Sequence, residues 1–381
     1  MPVNEQQQQS EASTSTIKLP PPVRSTGFTR WPLIVEAGVW RGLMRIGMWM
    51  HKRAKPRPVA PAFTLKIPAT LSPRPGNIKL VFYIPDGYEK GSEQRWPVIV
   101  NFHGGGFTLG AATDDARWAM AVCDNVGAVL VSVAYRRAPE KPFPTAVEDG
   151  ADAILWLLDH AAELSLDAER LGVSGFSAGG NMALTATLRL QDALLRRAGA
   201  SDVDVAGTRR HAVKLVASWY PSTDYTRPRA ERRASSVRPD KALPGFFTRL
   251  FDKSYLHPPR DVAMDSPYLS PGVADDALLA LLPHELLVWT CEWDMLHDEG
   301  ERFRARMAAL GKRVGGRTIP GVPHAWDRAP NPLREDAIMR EVYTEACEEI
   351  RRIFQLGPVD ESQGLQGSQT SIHTSSMSKG N

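Results

Sequence analysis

The run RLGVSGFSAGGN, Arg170 to Asn181, decides the fold. Leu171 to Ser174 read as a short buried strand. Gly175, Phe176, Ser177, Ala178 and Gly179 fit G-x-S-x-G, and MALTATLRLQDALLRR continues as a helix. Strand, sharp turn and helix in that order make a nucleophile elbow, which lifts a serine above the edge of a sheet on a strained turn. The flanking glycines leave room for the strand and helix to cross closely. The first N–H groups of the helix then face negative charge developing near Ser177 Oγ. A pattern this short also arises by chance, so the reading needs partners elsewhere in the chain.

The first partner lies upstream, in WPVIVNFHGGGFTLG, Trp96 to Gly110. Val98, Ile99 and Val100 fit a buried strand, which His103-Gly104-Gly105-Gly106 breaks. Three consecutive glycines are costly in backbone entropy unless the chain needs bare N–H groups or unusual dihedrals. An oxyanion hole needs both, because a side chain would block the approaching carbonyl oxygen. A flexible turn is the alternative.

Around these motifs the chain alternates strands and helices. Strands are expected over Phe63–Pro68, Ile78–Pro85, Ala128–Tyr135, Val213–Trp219, Glu285–Thr290 and Arg317–Ile319. Helices are expected over Asp114–Val126, from Thr145 with a Thr145/Glu148 capping box, over Glu299–Leu310 and over Arg334–Phe354. This alternation predicts an α/β fold with a mainly parallel central sheet covered by helices. Residues 1–30 and 357–381 read as disordered tails, 56–222 and 272–356 as the two parts of the core. Residues 223–271 form a basic, aromatic insertion in which Phe246, Phe247, Leu250, Phe251 and Tyr255 can share a helical side. Residues 31–55 hold a helix rich in Trp, Met and Leu, whose Leu33, Val35, Trp40, Leu43, Met44 and Met48 can share an apolar flank. Glu36, Arg41 and Arg45 make it too charged to read as a membrane span. It reads either as a lid over the site or as an interfacial helix giving peripheral membrane contact through residues 31–51.

A serine hydroxyl needs a base, and the base needs an orienting group. In the elbow fold the acid follows the serine and the histidine comes last. His324, in GVPHAWD between the last strand candidate and the last helix, is the best base. His284 precedes its strand, His297 follows the acid too closely, and His211 opens on the wrong edge. Asp294, just beyond the strand LLVWT, is the best acid, with Glu292 and Asp298 as neighbours a one-residue slip away. Phe107, Phe176, Trp219, Trp293 and Trp326 adjoin these motifs and are expected to line an apolar pocket.

HGGGF, YRRAPEKPFP, GFSAGGN, WDMLHDEG and PHAW, in that order, resemble the hormone-sensitive-lipase branch of the α/β-hydrolases. The resemblance runs from about Phe63 to Phe354. It implies an α/β-hydrolase fold, carboxylic ester hydrolysis and a helical cap uniting the 31–55 helix with the insertion. It places the oxyanion on the N–H groups of Gly105, Gly106 and Ala178, and makes His103 structural. Asp149 and Asp224 then either anchor loops around the pocket or serve as surface caps. The chain departs from the family pattern at Arg137 and at Ala325-Trp326, where relatives often carry an aliphatic residue and a Gly-Phe pair.

Composition narrows the partners. The 381 residues carry a net charge of +3 with scattered basic side chains, so no nucleic-acid partner is expected. Three well-separated cysteines, Cys123, Cys291 and Cys347, make neither a disulfide framework nor a metal cluster. No glycine motif fits a nucleotide, and neither metal nor cofactor is expected. No signal peptide is visible, so a cytoplasmic setting is the default. The substrate class is a hydrophobic small-molecule ester. A thioester or lactone would use the same relay, and a non-catalytic receptor on the same fold is the third reading. A homodimer through an edge strand or the closing helix stays open.

Overall fold

The computed structural model describes residues 30–198, 212–258 and 261–355. The tails read as disordered, 1–30 and 357–381, lie outside the described residues except for Arg30. In chain order the elements are α1 (Trp31–Arg53), β1 (Phe63–Pro68), β2 (Asn77–Tyr83), β3 (Trp96–Phe102), α2 (Ala116–Val126) and β4 (Val129–Ala134). Next come α3 (Thr145–Asp159), β5 (Leu166–Phe176), α4 (Ala178–Ala198) and β6 (Leu215–Trp219). They are followed by α5 (Arg229–Ser235), α6 (Gly245–Tyr255), α7 (Asp276–Leu279), β7 (Glu285–Cys291), α8 (His297–Ala309), β8 (Arg313–Gly315), β9 (Thr318–Ile319) and α9 (Ala337–Ile353).

The sheet runs β1-β2-β4-β3-β5-β6-β7-β8, with β9 paired to β7. β1, β2 and β4 pair antiparallel and every later pairing is parallel. The central strands lack polar alternation because both faces are covered. In β3, Val98, Val100 and Phe102 join the core under α3 and α4, while Ile99 joins the one under α2 and α9. Trp219 stacks on Trp289 at 4.1 Å and on Phe176 at 5.4 Å within the second layer. A ring burying at least about 150 Å² contributes roughly 4 kcal/mol of gross apolar burial. These tryptophans therefore fix the sheet centre, from which the elbow rises.

Two local expectations are corrected. Thr145 does not cap α3: Pro144 holds that position, and Thr145 Oγ1 accepts from Arg74 Nη1 at 2.6 Å. In α1, Val35 and Leu43 face outward, while Ala37, Met48 and His51 are buried. The insertion supplies α5 and α6, and α1 reaches α6 through Trp40, whose ring lies 5.1 Å from Phe246 and 4.7 Å from Phe247.

Candidate active site

The elbow is as tight as its glycines suggest. Ser177 sits at φ 56°, with its N–H donating to Trp219 O at 2.8 Å. A Cβ on Gly179 would fall 1.9 Å from Phe102 O, and one on Gly175 2.1 Å from Gly179 O. Only glycine lets α4 start this close to β3 and β5. Ser177 Oγ lies 2.8 Å from His324 Nε2, and His324 Nδ1 lies 2.5 Å from Asp294 Oδ2. Asp294 is buried, and its other oxygen accepts from Leu296 N at 3.1 Å. Three segments far apart in sequence thus converge: the β5–α4 turn, the loop after β7 and the loop after β9. Glu292 instead accepts from Gly321 N, and Asp298 lies beside His297.

The glycine loop faces the same space. Gly105 and Gly106 take φ of 110° and 58°, and a Cβ on Gly105 would fall 2.6 Å from the Leu109 backbone. Among the described residues neither of their N–H groups finds a protein acceptor. Ala178 opens α4 directly after the serine. His103 is buried, its Nδ1 lies 2.8 Å from Gly104 O, and its ring stacks on Tyr135 at 4.2 Å. Burial drives its imidazole down to about 3, so it stays neutral and ties the loop together.

A cavity of about 200 Å³ opens beside Ser177 and His324. Its walls include Met44 from α1, Phe247 and Phe251 from α6, and Leu109, Leu243 and Phe176. Of the five aromatic residues expected to line it, only Phe176 does. Phe107 stacks on Tyr255 at 3.7 Å in the core, and Trp219 is locked between Phe176 and Trp289. Trp293 lies under the Arg238 guanidinium, and Trp326 is buried against the layer that includes α9. Adjacency to a motif does not set the direction of a side chain, and alternate strand positions face opposite layers.

Sequence reasoning missed the polar wall of this cavity. Arg328 lies 4.1 Å above the Phe176 ring and 2.9 Å from Asp115 Oδ1. Asp327 beside it accepts from the hydroxyls of Tyr220 and Tyr343, both at 2.6 Å. Tyr220 in turn meets the His324 ring edge to face at 5.0 Å. Burial lifts the Asp115 carboxyl to about 6 against the pull of Arg328. The adjacent charges in Asp114-Asp115 and Asp327-Arg328 were the available signal, but their pairing requires the fold.

Two further anchors surround the site. Asp149 is buried and pairs with Arg136 at 2.6 Å, so it ties the loop after β4 to α3. Asp224 closes a local turn onto Thr226. Arg41 clamps α1 to the glycine loop, donating to Thr108 O at 2.8 Å, Ala138 O at 2.7 Å and Glu140 at 2.6 Å. Among the described residues no group of three or more His, Cys, Asp or Glu side chains is placed to hold a metal ion.

A family model described as an alpha/beta hydrolase fold matches residues 99–328. An arylesterase of Saccharolobus solfataricus is 29% identical over 64% of this chain and 72% of its own. The carboxylesterase NlhH of Mycobacterium tuberculosis is 32% identical over 60% of this chain and 66% of its own. An ethyl acetate hydrolase of Pseudomonas putida is 31% identical, over 62% of this chain and 68% of its own. Among solved structures, an esterase of Pyrobaculum calidifontis superposes with a TM-score of 0.67 at 27% identity, covering 86% of this chain and 98% of that one.

Proposed function

Because the chain belongs to the α/β-hydrolase fold family, in its hormone-sensitive-lipase-like branch, we propose that it is a carboxylesterase that uses Ser177, His324 and Asp294 through an acyl-enzyme. The observation that carries this reading is the contact chain from Ser177 Oγ through His324 to Asp294, set in the apolar cavity below the glycine loop. The esterase names of the relatives support the reaction class.

Ser177 Oγ attacks the ester carbonyl as its proton passes to His324 Nε2. The Nδ1–H of His324 stays on Asp294, which holds the ring and stabilises the imidazolium. The N–H groups of Gly105, Gly106 and Ala178 receive the tetrahedral oxyanion. His324 returns the proton to the departing alcohol, leaving Ser177 acylated. Water then enters, gives a proton to His324 and attacks the acyl carbon. Collapse releases the acid and restores Ser177 Oγ–H.

The cavity bounds the substrate. A cavity of about 150 Å³ holds one benzene, so about 200 Å³ suits a short acyl chain or a single ring. Helices α1 and α6 close it from above, and we assign them as the cap. The test is hydrolysis of p-nitrophenyl acetate, butyrate, octanoate and palmitate beside Ser177→Ala. Turnover should peak at the short esters and fall roughly ten-thousand-fold or more in the variant. A folded protein with no turnover and no fluorophosphonate label on Ser177 would overturn the reading in favour of a receptor.

A further inference from the structure

Six of the exposed large apolar side chains of the described chain lie on one side of α1. Trp31, Val35, Val39, Leu43, Ile46 and Trp49 are each 51–64% exposed. At about 3.6 residues per turn they form one stripe, centred opposite the face of Ala37, Met44, Met48 and His51 that packs inward. Phe246, stacked on Trp40, extends the apolar surface from α6 at 38% exposure. Isolated exposed apolar side chains are ordinary, but six in line on one helix are not.

Charge identifies the occupant. Between Trp31 and Arg57 the chain carries Arg41, Arg45, Lys52, Arg53, Lys55 and Arg57 against the single acid Glu36. Arg41 is neutralised by Glu140, whereas Arg45, Arg53, Lys55 and Arg57 are exposed around the stripe and at its end. Arg53 lies over the Trp49 ring at 4.5 Å. A second copy of this surface would bring like charges together, while an anionic lipid surface neutralises them. The two tryptophans stand at opposite ends of the stripe, and indoles favour the headgroup boundary. No helix of the described chain is long and apolar enough to cross a membrane. A helix of 23 residues, about 35 Å long, suits lying in the interface instead.

We infer that the outer face of α1 docks on anionic lipid surfaces, with its apolar stripe in the headgroup boundary and its basic residues against lipid phosphates and carboxylates. The inner face of the same helix supplies Met44 to the cavity. Docking therefore brings the cavity to the phase in which hydrophobic esters concentrate. Lipid binding stands independently of the proposed ester chemistry.

The test is co-sedimentation of the full chain with vesicles of phosphatidylcholine alone or mixed with phosphatidylserine, beside Val35→Glu/Ile46→Glu and Arg45→Glu/Arg53→Glu. Both pairs are outside the cavity, so turnover of a soluble ester and the melting curve serve as folding controls. The intact protein should bind the mixed vesicles, and the Val35/Ile46 variant should lose roughly tenfold or more in partitioning. The Arg45/Arg53 variant should lose the preference for phosphatidylserine. Equal binding by the Val35/Ile46 variant would overturn the inference. So would absence of binding by the intact protein. A dimer that this variant breaks, with no vesicle binding, would reassign the stripe to a contact between copies.

Discussion

Ala325 follows His324 at φ 56° and ψ 32°, a left-handed conformation that costs an L residue roughly 1–2 kcal/mol. Glycine would remove that strain but lose roughly 0.5–1 kcal/mol in chain entropy. Ala325→Gly is therefore expected to raise stability by about 0.5–1 kcal/mol with turnover retained, read by urea unfolding. A loss of stability would show that the alanine methyl packs usefully against the site. The same scale shows what was legible from the sequence. G-x-S-x-G and the glycine run constrain the backbone so tightly that Ser177 and the glycine loop have few places to go. His324 and Asp294 follow from the order of elements. Pocket lining did not follow, because Phe107 and Trp219 adjoin motifs yet face the packed layers. Leu109 reaches the cavity without any local signature, whereas Met44 belongs to the apolar flank expected of α1.

Helix α1 shows the limit at the scale of an element. Its composition announces a helix, but apolar residues nearly all round it leave its inward face undetermined. The contacts that decide it are polar. Arg41 reaches the glycine loop, and His51 sets its Nδ1 3.0 Å from Ala329 O. Because a carbonyl only accepts, that ring nitrogen carries the proton. Burial pushes the His51 imidazole down to about 4 from 6.5, with Arg328 and Arg117 adding to the effect. The Ala329 carbonyl and Asp327 oppose it. Between those values the unfolded chain takes up a proton that the folded chain refuses. Stability from this group is thus complete above pH 6.5 and falls as pH drops towards 4. The gap corresponds to about 3 kcal/mol. His51→Asn keeps a donor for Ala329 but takes no proton. Its unfolding free energy should therefore fall less between pH 7 and pH 4.5, by about 2 kcal/mol. Parallel pH curves for the two proteins would refute the assignment. Asp115, lifted to about 6, acts with the opposite sign. The comparison must therefore be made between variant and parent at each pH rather than on either curve alone.

For the whole molecule, the division of labour follows from topology. The sheet brings the loops after β3, β5, β7 and β9 to one edge, which is why strand order could be used to single out Asp294 and His324. What closes over that edge comes from segments with no such periodic constraint, namely α1 and the insertion carrying α6. Their docking was legible only as a general expectation. Phe251 of α6 packs directly against the glycine loop. A Cβ on Gly106 would fall 2.2 Å from Phe251 Cγ, so the ring occupies the space that the missing side chain leaves. The glycine serves two purposes there: in the proposed reaction it leaves its N–H bare for the oxyanion, and it admits Phe251 of α6 as the cavity wall. If the acyl chain runs under α6, Phe251 sets its length. Phe251→Ala should then raise the ratio of octanoate to butyrate kcat/KM by about tenfold or more, since apolar pocket contacts discriminate by roughly 1–3 kcal/mol. It should also lower stability by about 2–4 kcal/mol, less than a fully buried ring would cost because Phe251 is only partly buried. Phe251→Leu separates the two effects, as it keeps an apolar wall while removing the ring. An intermediate ratio with near-normal melting would place the acyl chain against α6. An unchanged ratio in both variants would put the acyl chain on the other side of Ser177, and leave the α6 wall to the alcohol.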